Sequence, residues 1–330
     1  MRIQRISAGW QVLAPAKLNL FLEVLGRRDD GFHELETLMV PISLFDTLTI
    51  HDDPARPLRL TCRWAPGLLA GPLKKGTGSE RPNGDDVRLT SPRGACPLFQ
   101  HAAQWEDLPQ DDDNLALRAV KLLRREAGID RGARLELIKR IPSAAGLGGG
   151  SSDAAAALMA GNRGWGLDWP LERLHGLAAQ LGSDVPFFLG SGPAICRGRG
   201  EWIEPLPGMT SLNFVVVCPP EGLSTAVVYK QCRPADAPRR VESLVEPLAL
   251  GDARRLVRGF FNRLEETARR LSTWVARCVD ELIRCGCLAA QMSGSGTSCF
   301  GLCATARQAR RLAATLRARG WSRAFAVRAL

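Results

Sequence analysis

The chain has 330 residues, 45% hydrophobic and 24% charged, the balance of an ordinary globular protein and a length that suits about two domains. Its net charge of +10 comes from 44 basic against 34 acidic residues; no Lys/Arg block exists, so the charge suits anionic ligands without pointing to nucleic acid. No run of about eighteen apolar residues occurs, and the first fifteen or so residues lack a continuous apolar core, so neither a membrane span nor a signal peptide is expected. The ten cysteines form no C-x-x-C pair and meet no zinc-finger histidine spacing. Reduced, mostly buried thiols in a cytoplasmic protein are expected.

Gln11 to Leu25 reads as a strand. Leu18, Leu20 and Leu22 alternate with Lys17, Asn19 and Phe21, so Lys17 and Asn19 share one face. A lysine on an apolar strand is costly unless it meets an anion. It also serves at a sheet edge, where charge discourages pairing with other strands. The strand alone does not choose between these. A polar turn from Gly26 to His33 follows, and Glu34 to Ile50 holds a second and a third β-like run. Asp53 to Asp111 is rich in Pro, Gly, Arg and Asp without sustained periodicity. It reads as a long surface insertion, partly disordered, pinned in places by Trp64, Trp105, Cys62 and Cys96.

Asp113-Asn114 caps a helix that runs to about Ala127 and stops at Gly128. Arg134 to Lys139 reads as a strand, and Gly146, Gly148, Gly149 and Gly150 follow it. Ser151, Ser152 and Asp153 are helix-start residues, and Ala154 to Met159 are strong helix formers. Glycines strip side chains from the loop, so backbone N–H groups can approach an anion. The helix N-terminus behind them adds donors and partial positive charge. A phosphate site fits, as does a plain flexible turn. Walker A is excluded because no lysine follows the glycines. The dinucleotide fingerprint fails because Ser151 stands where its third glycine would fall.

Helices are expected at about Ser152 to Asn162 and Pro170 to Leu181. Asp184 then sits between Gly182-Ser183 and an apolar Val185-Pro186-Phe187-Phe188. It reads either as a turn or cap residue or as a buried carboxylate partner for Lys17. Asn213 to Val217 is a buried strand that opens a second domain, with the boundary near Pro205 to Met209. Tyr229, the single tyrosine, reads as a core aromatic or a ligand-stacking ring. Asp252 to Cys285 is expected to be helical. Gln291 to Phe300 is a Gly-Ser loop, and a final helix, Thr305 to Arg319, precedes a strand from Arg323 to Val327.

Pro142, Gly146, Leu147, Gly148, Ser151 and Ser152 match P-x-x-x-G-L-G-[GS]-[GS]-S, so the stretch resembles the second motif of the GHMP kinases. P-A-K-L-N-L-F-L and D-G-F-H are similar to the start of one GHMP subfamily. That subfamily phosphorylates a cytidine diphosphate-linked methylerythritol in the non-mevalonate isoprenoid pathway. D-N-L, L-G-S-D-V-P, Asn262-x-Leu264-Glu265 and the Gly-Ser loop from Gln291 extend the resemblance over nearly the whole chain outside the insertion.

The resemblance implies an α+β, two-domain kinase, residues 1–207 and 208–330, with ATP and substrate in the cleft between them. Pro142, Gly146 to Ser152 and Asn114 would bind ATP, Asn114 near the adenine. Ser151 or Ser152 would help hold Mg2+. Asp184 would act as general base, with Lys17 paired to it and stabilising charge on the reacting oxygens. Phe32 and Tyr229 would sandwich cytosine, and His33 would read its edge. Asn19, Ser293, Gly294, Ser295 and Gly296 would complete the substrate side, the glycines letting their loop close on the phosphate loop. A homoserine- or mevalonate-type GHMP kinase would not need D-G-F-H or Tyr229. A non-catalytic nucleotide-binding regulator would be expected to lack Lys17 or Asp184, and both are present. The implied partner is a small molecule, with no nucleic acid or membrane, and the oligomeric state is open.

Overall fold

The computed structural model describes residues 1–7, 9–53, 57–66, 108–206 and 212–330. Two long strands form its spine. After β1 (Arg2–Ile6), β2 (Gly9–Arg27) and β3 (His33–Asp53) pair antiparallel from end to end. The two runs expected between Glu34 and Ile50 are therefore one strand. Polar residues within it, such as Glu36 and Asp46, are buried with partners rather than marking a turn. The β2–β3 register shifts between Pro15 and Ala16 and again between Asn19 and Phe21. Lys17 and Asn19 occupy the short stretch between these irregularities, where a bulge can re-aim side chains.

The expected insertion is not wholly irregular. β4 (Arg59–Trp64) lies in it and pairs parallel with β5 (Gly132–Lys139), which in turn pairs with β3. Alternation of Leu60 and Cys62 toward the core explains why this short stretch is held. Residues 67–107, with Cys96 and Trp105, lie outside the described residues.

Four helices cover one face of this sheet: α1 (Leu115–Ala127), α2 (Gly149–Gly164), α3 (Leu171–Leu181) and α4 (Val185–Leu189). Asn114 caps α1 through its side chain, and Gly128 ends it in the left-handed region, as expected. Ala154 to Leu158 on α2 are wholly buried against α1 and the sheet. The run of small side chains lets the helix lie close. β6 (Ala194–Gly198) adds to β3, and β7 (Trp202–Pro205) adds to β6.

Beyond residue 211, β8 (Asn213–Val217) is an inner strand of a second, four-stranded antiparallel sheet. The chain then runs through α5 (Thr225–Gln231), α6 (Glu242–Leu250) and α7 (Ala253–Gly259). The helix expected from Asp252 to Cys285 is broken. Phe261–Asn262 forms β9, which pairs with β2, and α8 (Arg263–Leu271) and α9 (Thr273–Arg284) follow as separate helices. Asn262 and Ser272 cap them through their side chains, so local helix propensity yields to pairing with β2 and to two caps. β10 (Ala289–Met292), β11 (Cys299–Cys303), α10 (Ala306–Ala318) and β12 (Ala324–Arg328) complete the sheet, in order β10-β11-β8-β12. Helices α8, α9 and α10 pack on one face of that sheet, and residues of β2 and β3 join the core on the other. Among the described residues no helix is long and apolar enough to cross a membrane. All nine described cysteines are free thiols, and eight of them are buried.

Candidate functional site

A cleft of about 1070 Å³ is lined by Lys17, Asn19, His33, Gly148, Asp184 and Tyr229 among others. The glycine loop forms its floor. Gly148, in the left-handed region at φ 69°, is the N-cap of α2. This corrects the expected Ser-Ser-Asp cap: Ser151, Ser152 and Asp153 lie inside the first turns of a helix that begins at Gly149. The first amide to bond back is that of Ser152, to the Gly148 carbonyl at 2.9 Å. The N–H groups of Gly149, Gly150 and Ser151 precede the helical ladder and face the positive end of the dipole. A Cβ on Gly148 would come within 2.8 Å of the Phe188 ring and 3.1 Å of Lys17 Cγ. Its glycine is thus required by packing and backbone geometry, not only by a ligand.

Lys17 is held between this loop and β3. Its N–H donates to the Leu147 carbonyl at 3.0 Å, and its Nζ donates to Asn19 Oδ1. β3 lies on one side of Lys17 and the glycine loop covers the other, so the residue is buried and the sheet-edge reading falls away. Asp184 Oδ2 lies 3.6 Å from Lys17 Nζ, with side-chain exposures of 35% and 5%. The carboxylate expected to be buried is therefore open to the cleft, while its lysine is sealed. Asp184 precedes α4 but makes no side-chain capping bond, which leaves the carboxylate available to the cleft rather than to the helix. Asn19 has little capacity left: Nδ2 donates to Thr37 Oγ1, and its backbone N–H donates to Ser293 Oγ. Its geometry suits positioning of Lys17 more than contact with a ligand.

The loop from Gln291 closes on the glycine loop as expected, but its residues divide. Ser293 is wholly buried, and its hydroxyl donates to the Gly146 carbonyl at 3.0 Å. Gly294 and Ser295 line the cleft; Ser293 and Gly296 do not. Asn262 Nδ2 donates to the carbonyls of Met292 and Gly294, and Glu265 accepts from the Met292 amide. The N-x-L-E segment thus fastens this loop. On the phosphate side, Pro142, Gly146, Gly148, Gly149, Gly150 and Ser151 line the cleft, and Leu147 and Ser152 do not. Asn114 lines it too, yet its Oδ1 accepts from Ala116 and its Nδ2 donates to the Pro109 carbonyl.

At the far end of the cleft, His33 faces Tyr229, with ring centroids 5.4 Å apart and planes tilted by 34°. This differs from a sandwich of Phe32 and Tyr229. Phe32 is 50% exposed, and its ring carries the Arg199 guanidinium at 4.9 Å. Burial, then the charge of Arg27, holds the His33 pKa below its ordinary value. Burial raises that of Tyr229. Both rings are therefore neutral hydrogen-bonding groups at pH 7.

Three buried charges escaped the sequence reading. Lys139 Nζ bridges Asp46 and Asp153 behind the glycine loop. Asp46 also accepts from the amides of Arg140 and Ile141. Burial alone would lower the Lys139 pKa, but its two carboxylates overcome this and raise it. Asp153 Oδ1 and Ser152 Oγ are buried with no hydrogen-bond partner among the described residues. A signal was present: Lys139 continues the inward phase of Leu135 and Leu137 along β5.

Comparisons with known proteins agree with this geometry. The family model for the GHMP kinases N terminal domain matches residues 114–192, and that for the GHMP kinases C terminal matches residues 244–320. A 4-diphosphocytidyl-2-C-methyl-D-erythritol kinase of Pelotomaculum thermopropionicum is 38% identical over 92% of this chain and 93% of its own length. One of Thermobifida fusca is 39% identical over 94% and 92%. A crystal structure of 4-(cytidine 5'-diphospho)-2C-methyl-D-erythritol kinase superposes with a TM-score of 0.70 at 35% identity, covering 97% of this chain and 98% of that one. The mevalonate kinase of L. major shares the fold alone, with a TM-score of 0.67 at 17% identity, over 99% of this chain and 96% of that one. The chain belongs to the GHMP kinases, and within them to the family of 4-diphosphocytidyl-2-C-methyl-D-erythritol kinases.

Proposed function

We propose that this protein transfers the γ-phosphoryl group of ATP to the 2-hydroxyl of 4-diphosphocytidyl-2-C-methyl-D-erythritol, a step of the non-mevalonate route to isoprenoid precursors. The observation that carries the reading is the position of the Lys17–Asp184 pair, in one cleft with the glycine loop and the facing His33 and Tyr229 rings.

Phosphoryl transfer needs positioning, charge neutralisation and an oriented nucleophile. The amides of Gly149, Gly150 and Ser151 bind the phosphates of ATP at the positive end of α2. Asp184, open to the cleft, takes the proton of the acceptor hydroxyl as it attacks. Lys17, held by Asn19, stabilises charge on the acceptor and phosphoryl oxygens. His33 and Tyr229 hold the cytosine, with the neutral imidazole supplying one donor and one acceptor to its edge. Asn114, its carboxamide spent on the α1 cap, shapes the adenine end without a polar contact of its own.

The donors around Asp153 fit Mg2+. Asp153 lines the cleft and its Oδ1 has no hydrogen-bond partner among the described residues, and Ser151 lines the cleft beside it, whereas Ser152 Oγ is sealed away from it. Held there, Mg2+ would supply positive charge to offset that of the ATP phosphates. We assign residues 1–207 and 208–330 to the two lobes, and the reduced cysteines fit a cytoplasmic location.

The test is ATP consumption with three acceptors: 4-diphosphocytidyl-2-C-methyl-D-erythritol, homoserine and mevalonate. Turnover of the first, with the others at background, is expected. Preference for either free acid would sink the assignment of His33 and Tyr229.

A further inference from the structure

Between β6 and β7 the chain makes a tight turn, Gly198-Arg199-Gly200. Both glycines take positive φ, 73° and 114°, conformations that L side chains rarely adopt, so the turn needs a glycine on either side of Arg199. Glu201 secures it by accepting the Arg199 amide. A Cβ built on Gly200 would lie 3.8 Å from Asp184 Oδ1, so one side of the turn abuts the candidate base. On the other side the Arg199 guanidinium rests on the Phe32 ring, a contact that holds its fork in place. Arg199, Gly200 and Phe32 all line the cleft.

Among the described residues, five cations line that cleft: Lys17, Arg27, Lys139, Arg199 and Lys230. Lys17 and Lys139 are engaged with carboxylates. Arg27 pairs with His33 in the β2–β3 ladder, and Lys230 follows Tyr229, so both stand at the base end. Arg199 alone among the five reaches from the aromatic end to the Asp184 side. Its nearest carboxylate, on Glu201, is 3.5 Å from Nε, longer than a good charged hydrogen bond.

We propose that Arg199 binds the diphosphate that joins the cytidine of the acceptor to its reacting alcohol. The inference rests on the function proposed above. A substrate with cytosine at His33 and a hydroxyl at Asp184 must carry its diphosphate past this turn. The planar guanidinium presents a fixed fork of donors that matches two phosphate oxygens at once, whereas a lysine offers a point charge without that preset geometry.

The test is calorimetric binding of cytidine 5'-diphosphate, cytidine and ADP to the wild type, Arg199→Gln and Arg199→Lys. In the wild type the diphosphate binds more tightly than the nucleoside. Arg199→Gln weakens it about ten- to a hundredfold, the worth of a hydrogen-bonded charge, and leaves cytidine and ADP within about twofold of their wild-type affinities. Arg199→Lys falls between. Unchanged cytidine and ADP affinity also shows that the variant is folded. If Arg199→Gln leaves the diphosphate affinity intact, weakens cytidine equally, or weakens ADP instead, the proposal is overturned. A wild type that binds ADP but neither cytidine ligand would overturn the functional reading itself.

Discussion

Lys17 and Lys139 stand on β2 and β5, the strands that flank β3, and both are sealed from solvent. Their partners differ. Lys139 meets two buried carboxylates, Asp46 and Asp153, reached from β3 and α2. Lys17 meets one, Asp184, at 3.6 Å and open to the cleft. A sealed cluster ties elements together and is costly to break from either side. A sealed cation against an exposed, loosely held carboxylate can rearrange around a ligand. The first arrangement chiefly holds the elements together, leaving only Asp153 Oδ1 for the cation site, and the second is built for reaction, although the residue types are the same.

The sharpest way to break this contrast is Asp184→Asn. Loss of a general base should lower kcat by about 10²–10⁴. Because the side chain caps nothing and is partly exposed, the melting temperature should barely move. Single-turnover transfer with both substrates saturating gives the rate. Retention of more than about a tenth of it, outside that range, would make Asp184 a turn residue. Lys17→Met should lower kcat too, and the double variant should be little worse than the poorer single one, since the pair acts as a unit.

Lys139→Met should show first in stability. It leaves Asp46 and Asp153 buried without their cation, an imbalance worth about 3–5 kcal/mol of stability. Denaturant midpoints measure it. Adding Asp153→Asn should restore part of the loss, because one of the two uncompensated carboxylates is then gone. A change below about 1 kcal/mol, the range of exposed pairs, would mean that water reaches the cluster and the contrast with Lys17 is false.

Tyr229→Ala probes the cleft's open end. An aromatic stack on a base is worth roughly 1–3 kcal/mol, so KM for the cytidine substrate should rise about tenfold or more, with KM for ATP little changed. Equal movement of both constants would show a general collapse of α5 instead.

How much of this was legible follows from how far apart partners lie in the chain. The glycine loop with its helix was readable because all its determinants are consecutive. Lys17 and Asn19 could be placed on one face because alternation along a strand is local. The triad was not, since Lys139 and Asp46 are 93 residues apart and nothing local announces the pairing. The same distance effect broke the helix expected from Asp252, where Phe261–Asn262 joins β2. It also exchanged the ring partners: composition indicated aromatics, but only the folded cleft sets His33 against Tyr229 and Arg199 on Phe32. Ser293 was singled out by its loop, yet whether a hydroxyl faces a ligand or a backbone carbonyl depends on which segment arrives opposite. Here that segment is Gly146.

The smallest effect expected is a pH dependence, and it sharpens the contrast by testing a ring whose charge changes with pH. Burial and the neighbouring Arg27 depress the His33 pKa below its usual value. His33 is therefore neutral at pH 7 and becomes charged only as pH falls through that lowered value. Cytosine stacked in the cleft would desolvate the ring further, so the bound state holds fewer protons than the free one. Linkage then requires affinity to weaken as pH falls, by at most tenfold per unit for one proton. Cytidine is the better probe, because it has no phosphate to titrate. Between pH 7.5 and 5.5 its dissociation constant should rise by a few-fold in the wild type. In His33→Gln, whose amide has a donor and an acceptor but no charge to gain, the curve should be flat over the same range. A wild-type profile as flat as that of the variant would mean that His33 supports the Tyr229 ring without reading the base.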